Sequence, residues 1–255
     1  MNVNIWIPLL LATLAGLSTL IGSFLGIVVH KPGPRFMAAT LGFSAGVMVL
    51  VAFVELLGQG IQSIGFGPAQ LAFFGGLLIM FLIDNSIPHD YLAEHNLTDG
   101  HHVNRNLART GLFVALGIAI HNFPEGLAVF AGGVFNLKLG AAIAIAIALH
   151  NIPEGVAVSV PVYTATGSRR KAFLWSALSG LAEPLGAVAA ALFLMPILNQ
   201  AVLGYVLAAV AGIMVFISID ELVPTSRACG HEHLSIAGFI GGMMVMSFSL
   251  WLMML

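Results

Sequence analysis

Long apolar runs, separated by short polar clusters, fill the chain from end to end. Eight of them, at residues 5–29, 36–57, 69–87, 107–132, 139–163, 172–195, 201–223 and 234–254, are long enough to span a hydrocarbon core of ~30 Å, which takes about 20 helical residues. The pattern predicts an all-α membrane protein with eight transmembrane helices, forming one domain over residues 1–255. Composition points the same way: 59% of the 255 residues are hydrophobic and only 8% charged, too few charges to keep a soluble surface in water. Residues 1–5 carry no Lys or Arg, so the first run reads as a retained helix rather than a cleaved leader.

The basic residues predict an orientation. With the N-terminus outside, the cytoplasmic loops hold Lys31, Arg35, Arg105, Arg109, Arg169, Arg170, Lys171 and Arg227, and the outside holds Lys138 alone. Eight of nine basic residues then lie inside, as the positive-inside rule requires, and both termini face outward. The single cysteine, Cys229, rules out an internal disulfide, and no nucleic-acid partner is expected.

Comparing the chain with itself exposes a repeat. Residues 41–57 match 207–223 at seven of seventeen positions, with Met48 against Met214 and Glu55 against Glu221. At nearly the same offset, Gly16-Leu-Ser-Thr-Leu-Ile-Gly22 answers Gly180-Leu-Ala-Glu-Pro-Leu-Gly186, and Phe73-Phe-Gly-Gly76 answers Phe239-Ile-Gly-Gly242. Between the two sets lie His121-Asn-Phe-Pro-Glu-Gly-Leu-Ala-Val129 and His150-Asn-Ile-Pro-Glu-Gly-Val-Ala-Val158, identical at seven of nine positions. Segments one to three thus resemble six to eight, five helices apart and therefore running in opposite directions. The result is a 3+2+3 inverted-repeat arrangement, in which transporters place substrate at the midplane.

Seven of the eleven acidic residues fall inside the predicted spans: Glu55, Asp84, Glu125, Glu154, Glu183, Asp220 and Glu221. A bare carboxylate at a helix centre costs roughly 3 kcal/mol on insertion scales, and the spans hold almost no Lys or Arg to neutralise it. The missing positive charge is most simply a bound or transported cation. In each motif His and Glu are four apart, so they point about 40° from one another and share a helix face. Two such faces, His121 with Glu125 and His150 with Glu154, supply four N/O ligands, a set that suits Zn²⁺ but also Fe²⁺, Mn²⁺ or Co²⁺. Pro124 and Pro153 each free a backbone carbonyl, of Ile120 and Leu149, which at membrane depth survives only beside a cavity or within protein. Pro184 beside Glu183 nominates the sixth segment as a third wall. Asn122 and Asn151 either ligate through oxygen or bond to a neighbouring helix.

His121-Asn-x-x-Glu-Gly126 and His150-Asn-x-Pro-Glu-Gly155, in segments four and five of eight, resemble the signature of the ZIP family of metal transporters, in the wording of its bacterial branch. Ala45-Gly-Val-Met48, Ser179-Gly-Leu-Ala-Glu183 and Asp220-Glu221 carry the resemblance along the whole chain. It implies uptake of Zn²⁺, with Fe²⁺, Mn²⁺, Co²⁺ or Cd²⁺ as further cargo, through a paired metal site. One position would use His121, Glu125, His150 and Glu154; its neighbour would use Asn122, Glu125, Asn151, Glu154 and Glu183. Met48 matches a position that approaches the metal in some relatives, and Asp84 one on the exit side. The resemblance also implies that helices one, four, five and six move as a unit within a homodimer.

Two loops carry further metal-binding residue types. The longer, residues 89–106, holds His89, Asp90, Glu94, His95, Asp99, His101 and His102, and reads equally as a cytoplasmic metal-collecting loop or a solvated linker. Cys229, His231, Glu232 and His233 lack four-ligand spacing and read as a plain loop. Asp220 and Glu221 fit a release step, or interfacial charges near Arg227. A zincin would need His-Glu-x-x-His and a di-metal oxidase Glu-x-x-His, both absent, so an enzyme is disfavoured. An ATP-driven pump lacks its phosphate loop. A metal-selective channel is the closer alternative, opposed by ligands too strong for fast conduction.

Overall fold

The computed structural model describes residues 4–28, 33–86 and 103–254. Their regular structure is helical throughout, in eight long helices: α1 Trp6–Val28, α2 Pro34–Ile64, α3 Phe66–Asn85, α4 Val103–Phe135, α5 Leu137–Thr166, α6 Arg169–Ile197, α7 Gln200–Ala228 and α8 Glu232–Met254. Each predicted segment falls on one of them. Among the described residues seven are long and apolar enough to cross a membrane, and α4, at 33 residues, is the eighth long helix. The helices outrun the apolar segments at several ends. Gln59 and Gln62 interrupt the hydrophobic run of α2, and Pro224 and Arg227 that of α7, without ending the helix.

Short capped turns fold the chain back on itself. Gly65, at φ 84°, is the whole link between α2 and α3. Asn136 alone separates α4 from α5, its side chain accepting from the Lys138 N–H. Ser168 and Asn199 cap α6 and α7 in the same way, through the N–H groups of Lys171 and Val202.

The repeat seen in the sequence recurs in the packing. α2 and α7 each contain one π-helical turn, Ala52–Leu56 and Ser218–Leu222, at corresponding positions. A Cβ on Gly46 of α2 would strike the Phe239 carbonyl of α8, and one on Gly212 of α7 would strike the Phe73 carbonyl of α3, again corresponding residues. The same holds for Gly126 of α4 against the Glu183 carbonyl and Gly155 of α5 against the Thr19 carbonyl. Close backbone approach at small residues is how membrane helices gain packing energy without a hydrophobic drive between them.

These contacts sort the helices into two groups. α1 lies along α5 and α4 along α6; α2 lies along α8 and α3 along α7. The groups meet chiefly where α2 runs beside α5 and α7 beside α4. Large apolar side chains such as Leu14, Leu71, Phe193 and Phe248 remain on the outside, as a lipid-facing surface demands.

Candidate metal centre

Both motifs lie on unbroken helices. α4 continues through Pro124 and α5 through Pro153. His121, Asn122, Glu125, His150, Asn151, Glu154 and Glu183 are brought together at the junction of α4, α5 and α6, none more than 1% exposed. The two glycines that follow the motif glutamates set this junction. Gly126 lets α4 press on α6 at Glu183, and Gly155 lets α5 press on α1 at Thr19.

The charged ends pair crosswise between helices. His121 Nε2 lies 3.3 Å from Glu154 Oε2. His150 Nε2 meets Glu125, with Oε2 at 3.3 Å in hydrogen-bond geometry and Oε1 at 3.2 Å outside it. Each imidazole thus answers the carboxylate of the other motif, although His and Glu of one motif do share a face. Such pairing offsets the desolvation of charges buried in apolar surroundings. Both asparagines anchor to a neighbouring helix: Asn122 Nδ2 donates to the Ser179 carbonyl at 3.3 Å, and Asn151 Nδ2 to the Ala15 carbonyl at 3.1 Å. Asn151 Nδ2 also donates to Glu183 Oε1.

Much of the donor capacity is left over. Nδ1 of both histidines, Oδ1 of both asparagines, Oε1 of Glu125 and Glu154, and Oε2 of Glu183 are buried with no hydrogen-bond partner. Both asparagines thus bond to a neighbouring helix through nitrogen, the second of the two readings of their sequence context, and their Oδ1 atoms are left over. Among the described residues no three His, Cys, Asp or Glu side chains converge as they would on a bound ion, because the paired ends face one another. Imidazole nitrogen with carboxylate and amide oxygen, and no sulfur, is a donor set for borderline to hard divalent cations.

Residues 88–250 match the family described as ZIP Zinc transporter. The chain belongs to that family. It is 51% identical to the zinc transporter ZupT of Chlorobium phaeovibrioides, over 98% of this chain and 99% of that one. Identity is 47% to ZupT of Streptococcus mutans, over 99% of both chains, and 44% to ZupT of Clostridium perfringens, over 98% of this chain and 96% of that one. ZIP membership places the protein among transporters.

The remaining candidates sit around the ZIP centre in different ways. Glu221, half-buried in the π-helical turn of α7, is close enough for its charge to act on His121, Glu154, Asp84 and Asp220, which puts α3 and α7 carboxylates on one side of the centre. Glu55, its counterpart in α2, is 8% exposed and hydrogen-bonded to Gln59. Met48 is fully buried in the apolar core. Sequence reasoning missed Ser44 of α2, whose hydroxyl donates to the His150 carbonyl at 3.3 Å. A lone serine in an apolar run gives no signal of that reach.

Residues 89–102 of the His-rich loop lie outside the described residues, and α4 already begins at Val103. Near Cys229 the loop is held by ordinary contacts: the thiol donates to the Thr225 carbonyl, and Glu232 pairs with Arg227 at 3.3 Å. Arg227 is thus engaged with Glu232.

Proposed function

We propose that this chain carries divalent metal ions, Zn²⁺ foremost, into the cytoplasm, and that the crosswise cluster of α4, α5 and α6 is where the ion rests in transit. The observation that carries this reading is the set of seven buried nitrogen and oxygen atoms, from three helices, with no hydrogen-bond partner among the described residues. Leaving a buried polar group unpaired costs about 1–3 kcal/mol, more when it is charged, so seven together mark a place built to be filled. The zinc transporters named above share the reading along nearly their full length.

A cation entering between α4 and α5 replaces one half of each imidazole–carboxylate pair, so the four ends exchange partners without being stripped bare. Seven donors exceed the four that zinc usually takes, which favours two adjacent positions, with Glu125 and Glu154 bridging. The same donors accept Fe²⁺, Mn²⁺, Co²⁺ and Cd²⁺. Glu221, Asp84 and Asp220 stand on the release side in the outward-termini orientation, and Glu55 on the entry side. Ligands this numerous hold an ion too long for channel flux, so the transport is saturable and slow.

Uptake of radioactive zinc into vesicles tests the assignment. Glu125→Ala and Glu154→Ala should each bring flux to the background of empty vesicles, with normal amounts of protein in the membrane. Undiminished flux in either would remove the site from the transport path. Competition by the other four metals against zinc defines the cargo range.

A further inference from the structure

One buried hydroxyl stands where the repeat calls for a carboxylate. Aligning Gly16–Gly22 with Gly180–Gly186 sets Thr19 of α1 against Glu183 of α6, and the packing respects that equivalence. The Glu183 carbonyl abuts Gly126, and the Thr19 carbonyl abuts Gly155. Asn151 anchors on Ala15, and Asn122 on Ser179, its equivalent. On one side of the centre Asn151 also bonds to Glu183. On the other, the side chain in the matching place is Thr19.

Thr19 is fully buried, and its Oγ1 has no hydrogen-bond partner. It lies against the same turn of α6 that holds Asn122: a Cβ on Gly180 would come within 3.1 Å of Thr19 Oγ1, and the Asn122 amide donates to Ser179, one residue earlier. Asn122 Oδ1 is the unpartnered atom on that side. A hydroxyl offers one donor and two acceptor positions but is two bonds shorter than a glutamate side chain, so it reaches an ion through water.

We propose that Thr19 is a positioning residue of the cargo site, the neutral mirror of Glu183, holding a water of the partly hydrated ion on the Asn122 side. This rests on the reading of the site as the cargo site. The consequence is a lopsided cradle: one side binds by charge, the other by a hydroxyl and an amide oxygen. A fourth carboxylate beside Glu125, Glu154 and Glu183 would hold the cargo harder than release allows.

Thr19→Val tests this, because it keeps the volume of the side chain and gives up the hydroxyl that holds the water. The KM for zinc should rise about threefold with normal amounts of protein in the membrane, and Thr19→Ser, which keeps the hydroxyl, should leave it unchanged. An unchanged KM in normally inserted Thr19→Val overturns the proposal. Should Thr19→Val fail to accumulate, Thr19→Ala decides: a raised KM for zinc at normal protein level supports the role, and an unchanged KM removes it. Glu125→Ala in the same vesicles separates the two failures. Zinc uptake that survives Glu125→Ala sinks the cargo-site reading, whereas loss there with no Thr19 effect sinks only this inference.

Discussion

Among the described residues, the buried polar side chains of α2, α3, α7 and α8 all find hydrogen-bond partners, whereas α1, α4, α5 and α6 each keep at least one buried polar atom without one. In the first group Ser218 donates to the Met214 carbonyl at 2.7 Å, and Ser226 donates to the Ala38 carbonyl at 2.7 Å while meeting Ser235 Oγ at 2.6 Å. Among the described residues, all ten buried side-chain N and O atoms without a partner lie in the second group. Seven of the ten belong to the residues of the candidate metal centre on α4, α5 and α6. That contrast supports reading one group as scaffold and the other as carrier.

The largest effect expected of any test of the contrast comes from glycine. Gly126→Ala drives a methyl into the Glu183 carbonyl, and Gly46→Ala drives one into the Phe239 carbonyl, so the two collisions are alike and only their places differ. Each should lower stability by about 1–3 kcal/mol, the usual cost of overpacking. Only Gly126→Ala should also spread the donors of α4 and α6, weakening zinc binding by the purified protein more than about tenfold, or 1.4 kcal/mol. Calorimetric titration beside thermal melting reads both quantities. Equal loss of zinc affinity in Gly46→Ala would break the division of labour.

These glycines also show how far the sequence could be read. The eight helices were legible because run length is what a bilayer selects for, and their ends were not, because Gln59 and Gln62 extend a helix that the apolar pattern closes. His121, Glu125, His150 and Glu154 were legible as a set because such residues are rare in spans. The crosswise pairing was not, since the rotation of α4 against α5 is fixed by contacts at Glu183 and Thr19, on other helices. The partners of Asn122 and Asn151 were likewise hidden, because both acceptors, Ser179 and Ala15, are backbone carbonyls with no side-chain signature.

A smaller effect should separate the two ends of the scaffold. Glu221 acts electrostatically on His121, whereas Glu55, its equivalent, is bonded to Gln59. Glu221→Gln should therefore lower maximal zinc flux about fivefold, as expected for a charge interaction of about 1 kcal/mol, whereas Glu55→Gln, on the proposed entry side, should raise KM and leave maximal flux unchanged. Initial-rate measurements over a range of zinc concentrations distinguish the two. Identical changes in both variants would mean that the ends do the same work.

The smallest effect concerns the seam between the groups. Ser44 of the scaffold donates to the carbonyl of His150 in the carrier, a bond of 3.3 Å that exists only while α2 and α5 keep their present register. The repeat places Val210 of α7 where Ser44 stands in α2, so an arrangement in which α4 took the mirrored position beside α7 would find no hydroxyl there. A hydrogen bond of this kind has a net worth of about 0.5–1.5 kcal/mol, and at this length the low end applies, so Ser44→Ala should shift the balance of arrangements about two- to threefold away from the present one. Val210→Ser should shift it the same way by adding the mirrored bond, and the two changes should compound. Spin labels on the ends of α2 and α5 report the populations directly. Were Ser44→Ala to leave the label distances unchanged while Val210→Ser moved them, the register of α2 and α5 would be held by helix packing alone, and the serine would be no more than a satisfied hydroxyl in a dry scaffold.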